Sequence, residues 1–158
     1  MKAYFACGCF WGAEFYFNRA DGVTSTTVGY MGGTTENPSY EDVCRGNTGH
    51  LETTEIVYEP DKTPYEKLVK LFFEIHDFTQ TDGQGPDIGE QYLSAVFVQN
   101  DVEREVVQKI IDELKVRGYA VATTIRDFSV FWPAEAYHQD YYDRNGKRPY
   151  CHARKQIF

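Results

Sequence analysis

A short apolar run, Lys2-Ala3-Tyr4-Phe5-Ala6, leads into Cys7-Gly8-Cys9-Phe10-Trp11-Gly12, and Ala13-Glu14-Phe15-Tyr16-Phe17-Asn18 leads out of it. Aromatic and small apolar residues on the entry side read as a strand. On the exit side Trp11, Phe15 and Asn18 stand at helical spacing, with Asp21-Gly22 as a stop signal. A cysteine at such a strand-to-helix junction sits beside unpaired backbone N–H groups and the positive end of the helix dipole. Both favour thiolate over thiol, and the thiolate is the reactive form. Gly8 and Gly12 let backbone and reactant approach closely. Cys9 is therefore the candidate nucleophile; the competing reading is a buried small hydrophobe beside Phe10 and Trp11.

The rest of the chain alternates between the periods of strand and helix. Gly22 to Gly33, rich in Val and Thr, reads as a strand running into a loop, followed by an irregular segment with one helical turn around Tyr40 to Val43. Leu51 to Glu59 alternates as a half-buried strand stopped by Pro60. Thr63, Pro64 and Glu66 predict a capping box opening a helix with Leu68, Leu71, Phe72 and Ile75 on one stripe. His76 to Gly89 reads as an ordered, hydrogen-bonded loop, and Tyr92 to Gln99 as a central strand. Asn100-Asp101 opens a helix with Val102, Val106, Val107, Ile110, Ile111 and Leu114 on its buried side, closed by Gly118. Thr123 to Phe131 reads as a last strand and Ala134 to Tyr142 as a short helix. This order predicts an α/β (α+β) fold. It is a two-layer sandwich of ferredoxin-like character, with helices packed on a mainly antiparallel sheet. At 158 residues it forms one catalytic domain over 1–158, with 143–158 as a flexible, irregular C-terminal arm carrying Cys151.

Sixteen basic against twenty-four acidic residues give a net charge of −8, which argues against a nucleic-acid backbone as partner. The N-terminal apolar run is too short for a signal peptide or a spanning helix, so no membrane partner is expected and the expected compartment is the cytoplasm. Cys7, Cys9, Cys44 and Cys151 would there be reduced at rest. Cys7-x-Cys9 is too tight for the usual zinc pairing, and no second paired ligand set follows, so neither metal nor cofactor is expected. Cys7 reads as core, Cys44 as ambiguous. Cys151 lies in a Gly/Pro-bounded arm, where a thiol suits a resolving role or is incidental. Glu52 follows Gly49-His50-Leu51; beside aromatics it would keep its proton and act as an acid, otherwise it is one more solvated glutamate. His50 reads as an acid or a structural group, His76 as a helix-end histidine that complements the dipole, and Tyr40, Asp87 and Tyr92 as donors and acceptors for a small polar ligand group.

Several spaced blocks taken together resemble the peptide methionine sulfoxide reductase A family. They are Gly8-Cys9-Phe10-Trp11-Gly12, Gly29-Tyr30-Met31-Gly32-Gly33, Asn37-Pro38-Ser39-Tyr40, Gly49-His50-Leu51-Glu52, His76-Asp77-Phe78-Thr79-Gln80, Gln84 to Tyr92 and Ala134 to Gln139. The resemblance implies reduction of the S-epimer of methionine sulfoxide, free or in oxidised proteins, by a monomer. It makes Cys9 the nucleophile, Glu52 the proton donor, and Phe10 and Trp11 the pocket for the substrate methyl. Tyr40 and Tyr92 would bind the sulfoxide oxygen, Asp87 would lie in the substrate loop, and Cys151 would resolve the oxidised Cys9. Thioredoxin is the implied reductant.

Elementary chemistry is consistent with that assignment. A sulfoxide sulfur is a poor electrophile until its oxygen gains a proton, so a thiolate and an acid must meet across it. Oxygen transfer leaves Cys9 as a sulfenic acid, which Cys151 would condense to a disulfide. Phe78, Pro86 and Leu93 depart from the family's usual proline, asparagine and arginine, and no cysteine follows Cys151, so recycling is expected through a single disulfide. Two rivals make different demands. A thiol peroxidase would consume hydrogen peroxide and leave the sulfoxide untouched, and an aromatic-cage binding module would release no methionine.

Overall fold

The computed structural model describes residues 1–149 and 152–158. Its first strand, β1 (Lys2–Cys7), turns at Gly8 into helix α1 (Phe10–Phe17). Strand β2 (Val23–Met31), the one-turn helix α2 (Tyr40–Cys44), strand β3 (Leu51–Tyr58) and helix α3 (Tyr65–Glu74) follow. Two short strands, β4 (Gly83–Gln84) and β5 (Asp87–Ile88), fold the next loop into a small ribbon ahead of a 3₁₀ turn over Glu90–Tyr92. Then come β6 (Ser94–Val98), α4 (Asp101–Val116), β7 (Thr124–Asp127) and β8 (Trp132–Pro133). A 3₁₀ turn (Ala136–His138) and helix α5 (Tyr141–Asn145) precede the C-terminal segment. The main sheet runs β7-β6-β1-β3-β2-β8, antiparallel throughout except for the β6–β7 pair.

Alternation along β1 sorts its side chains between two layers. Ala3, Phe5 and Cys7 join the core under α1, α3 and α4, where Phe5 stacks on Phe17 at 5.2 Å and meets Phe72 at 5.3 Å. Tyr4 and Ala6 face the other side with Met31, Leu51, Ala95 and Phe97, covered by Leu93 and Phe131. Helices on one face of a mainly antiparallel sheet are what the order of elements predicts. The register then decides where the site lies. β1 and β2 end at the edge of the sheet where β3 and β6 begin, since Tyr30 pairs with Glu52, Met31 with Leu51 and Cys7 with Ser94.

Several local expectations are corrected by the packing. β3 is not half-buried: flanked by β1 and β2 and covered on both faces, it leaves only Glu55 and Val57 partly exposed. Thr63 makes no capping box. α3 starts at Tyr65, and Pro64 occupies the cap in an extended conformation, which sets Thr63 one residue too early. Val102 is exposed, since the buried stripe of α4 runs through Glu103, Val107, Ile110, Ile111 and Leu114. The strand expected over Thr123–Phe131 is limited to Thr124–Asp127, and the helix expected over Ala134–Tyr142 is divided between the 3₁₀ turn and α5. The C-terminal residues are docked: the Arg154 guanidinium and the N–H groups of Ile157 and Phe158 all bond the Glu74 carboxylate.

Candidate active site

Gly8 makes the turn possible. Its φ of +92° lies in the left-handed region, and a Cβ there would come within 2.5 Å of Gln84 Cβ. Cys9 consequently stands at the N-cap of α1, its carbonyl accepting from Ala13 N–H at 3.4 Å, with only 6% of its surface exposed. The backbone N–H groups of the first turn point past it, which is the local field that favours an anionic sulfur.

One of those N–H groups holds Glu52. Phe10 N–H donates to Glu52 Oε1 at 3.2 Å, which ties the second residue of β3 to the start of α1. Glu52 is 2% exposed, and its Oε2 has no partner among the described residues. Burial pushes its carboxyl well above the usual carboxylate range. The nearby charges of Cys9 and Asp87 push the same way, and only the Phe10 bond opposes them. Burial thus favours the proton-bearing form of Glu52, and Oε2 is the oxygen left without a partner among the described residues.

Tyr40, Tyr92 and Cys44 stand close together beside that carboxyl, and the charge of Glu52 acts on all three. Desolvation raises both phenols, so each is a neutral donor. Tyr40 is placed by the capping box that Ser39 and Asp42 form at the start of α2, and its N–H donates to Glu135 at 3.2 Å. Asp87 lies on β5, paired with Gln84, whose side chain closes the loop through two bonds to the Asp77 backbone at 2.8 Å. Cys44, ambiguous in sequence, belongs to the rim of this cluster, and burial raises its thiol.

Phe10 and Trp11 form an apolar wall next to Cys9, and its supports come from far along the chain. Trp11 Nε1–H donates to His138 Nδ1 at 3.0 Å, while Tyr141 stacks on the indole at 3.8 Å and 7°. His138 is buried among Phe10, Tyr40 and Tyr137, and desolvation lowers its pKa, so it is neutral and its Nδ1 is free to accept. Neither His138 nor Tyr141 was singled out from spacing, because nothing local links them to Trp11. His138 stands in the Ala134 to Gln139 block, but nothing in that block marks its ring as the acceptor for the indole.

The other predicted groups separate from the site. His50 is structural, its Nδ1 accepting from Gly33 N–H at 3.0 Å and its Nε2–H donating to the Thr35 carbonyl at 2.6 Å. His76 does not complement a helix dipole: burial takes its pKa down to about 3, and it bridges the Phe72 carbonyl and the Ser94 hydroxyl as a neutral ring. Cys7 is core. Cys151 lies outside the described residues. Two clefts of about 500 and 530 Å³ open elsewhere, and among the described residues neither is lined by a cysteine.

A buried thiol at a helix start, a buried carboxyl whose acid form is favoured, two neighbouring phenols and an aromatic wall suit proton-assisted attack by sulfur on a small polar group bearing an apolar substituent. Comparison with known proteins points the same way. A family model described as peptide methionine sulfoxide reductase matches residues 1–158. The chain is 45% identical over 150 residues to peptide methionine sulfoxide reductase MsrA of Nautilia profundicola, covering 95% of this chain and 87% of the relative. It is 46% identical to that of Methanothermobacter thermautotrophicus, covering 93% and 89%. Among solved structures, Mxr1 from Saccharomyces cerevisiae in reduced form superposes with a TM-score of 0.93 at 34% identity, covering 99% of this chain and 92% of that one. Methionine sulfoxide reductase A of Corynebacterium diphtheriae superposes with a TM-score of 0.83 at 35% identity, covering 92% and 74%. With the match unbroken from the first residue to the last, the chain belongs to the peptide methionine sulfoxide reductase family.

Proposed function

We propose that this chain is a peptide methionine-(S)-S-oxide reductase in which Cys9 is the nucleophile and Glu52 the proton donor. The observation that carries the assignment is the buried Glu52 carboxyl, bonded by Phe10 N–H beside the Cys9 junction, with an Oε2 that has no partner among the described residues. Protonation of the sulfoxide oxygen by Glu52 makes the substrate sulfur electrophilic. Cys9 attacks, the oxygen passes to its sulfur, and methionine leaves reduced by two electrons as Cys9 becomes a sulfenic acid. Tyr40 and Tyr92 hold the oxygen with neutral O–H donors. Phe10 and Trp11 take the methyl group, which sets the epimer preference and excludes water. Asp87, on the loop that packs over Gly8, orients the substrate backbone.

The sulfenic acid then condenses with the Cys151 thiol, forming a Cys9–Cys151 disulfide and water, and thioredoxin returns both thiols. Free methionine sulfoxide and oxidised proteins are the substrates, so the role is repair after oxidative stress. The chain acts as a single catalytic domain, a monomer, in the cytoplasm; among the described residues no helix is long and apolar enough to cross a membrane. The decisive experiment is mass spectrometry of the reduced protein after one equivalent of methionine S-sulfoxide. One methionine per chain and a Cys9–Cys151 bridge support the assignment. Methionine release that survives Cys9→Ser overturns it.

A further inference from the structure

The described part of the C-terminal segment begins with a residue locked beneath the active site. His152 is 4% exposed, its Nε2–H donates to the Cys7 carbonyl at 2.6 Å, and its own carbonyl accepts from Tyr16 O–H at 3.4 Å. The ring occupies space that two glycines leave open. A Cβ on Gly12 would fall 2.2 Å from His152 Nδ1, and one on Gly8 would fall 3.7 Å from its Cε1. Those glycines bracket Cys9, so the residue after Cys151 is fixed against both sides of the nucleophile's turn. Upstream, Asp140 is held by α1 as well, its N–H donating to the buried Glu14 carboxylate at 2.6 Å.

We propose that His152 is the positioning residue for the resolving step: its imidazole, seated between Gly8 and Gly12 and bonded to Cys7, fixes the downstream end of the segment that delivers Cys151 to Cys9. The proposal rests on the reductase reading above. In that step the Cys151 sulfur attacks the Cys9 sulfenic sulfur, an S–S bond forms, the S–O bond breaks, and the oxygen leaves as water with both protons. An external dithiol then supplies two electrons. Holding the attacking thiol near its target replaces a search with a local encounter.

Tether length alone is a small effect. Without the His152 ring, the next side-chain hold on the chain is Arg154, whose guanidinium bonds the Glu74 carboxylate at 3.0 Å. Loop-closure entropy over two further residues changes the rate by less than about twofold. A larger loss therefore reports orientation by the ring.

The test is a stepwise single turnover with methionine S-sulfoxide, reading methionine release and thiol loss separately in wild type, His152→Ala and His152→Gln. Gln carries an amide N–H to the position of Nε2. In His152→Ala the methionine burst is expected to keep its rate while disulfide formation slows about tenfold or more, and His152→Gln is expected to recover most of that loss. Turnover driven by dithiothreitol, which reduces the sulfenic acid directly, should be unchanged in both variants. Disulfide formation in His152→Ala within twofold of wild type overturns the proposal and leaves the reductase reading standing. Loss of dithiothreitol-driven turnover in His152→Ala also overturns it, since the ring would then be a fold requirement. A wild-type chain that releases no methionine overturns both.

Discussion

The N–H of Phe10 and the carboxyl of Glu52, 42 residues apart in sequence, meet at 3.2 Å across the end of the sheet. This bond uses one of the first free donors of α1 to hold a buried acid beside the cysteine that precedes Phe10. Substitution at Glu52 separates holding from proton transfer. Glu52→Gln keeps an acceptor for Phe10 and a weak N–H donor, and is expected to lower the single-turnover rate of methionine release by about tenfold. Glu52→Ala removes both and is expected to cost about 10²-fold or more, the range of general acid catalysis. Equal rates in wild type and both variants, by rapid quench, would remove Glu52 from the mechanism.

The same burial sets a pH profile. Because burial raises the Glu52 pKa well above the usual range, its acid form persists beyond the pH at which an ordinary carboxyl ionises and is lost only as pH climbs past the shifted value. The rate of methionine release should therefore fall on the alkaline side. That limb is expected to be missing from Glu52→Gln, whose amide does not titrate.

Glu14 gives a stability prediction with its own sign. Burial raises its pKa to about 7 from 4.5, against the opposing bonds from Thr26 and Asp140. Between pH 4.5 and 7 the folded chain holds a proton that the unfolded chain has released, so the Glu14 contribution declines as pH rises and is lowest above 7. Urea unfolding at pH 5 and pH 8 should show wild type losing more stability than Glu14→Gln over that interval, by about 1–3 kcal/mol.

Tyr40 and Tyr92 stand close enough to act on each other's titration, so their hydroxyls are not independent. Each Phe substitution is expected to lower kcat/KM by about tenfold, and the double variant by clearly less than the product. Strict additivity in the double-mutant cycle would mean that the two phenols do not act on one oxygen.

The Trp11–His138 bond carries a further test. His138→Phe retains a ring among Phe10, Tyr40 and Tyr137 but removes the acceptor for the indole N–H. It is expected to destabilise the fold by about 1–2 kcal/mol in denaturant titration and to raise KM for methionine sulfoxide several-fold. An unchanged KM would separate the bond from the substrate wall.

Sequence by itself determined the parts whose cause is local. The period of Lys2–Cys7, the glycine that must take a positive φ and the helical spacing after Cys9 place a cysteine at a helix start whatever packs around it. The spaced blocks likewise named Glu52, Tyr40, Asp87 and Tyr92, and the structure gathers Glu52, Tyr40 and Tyr92 around the sheet end that carries Cys9. Thr63 and His76 show the limit of such signals. A capping pattern lost to the proline beside it, and a histidine at a helix end proved to be a buried neutral bridge. Tertiary structure alone decided the rest. The raised pKa of Glu52, the seating of Trp11 by His138 across 127 residues, and the docking of His152 under Gly12 all depend on which surfaces exclude water. Desolvation and long-range contact belong to the folded assembly of elements, and no window of neighbouring residues contains them.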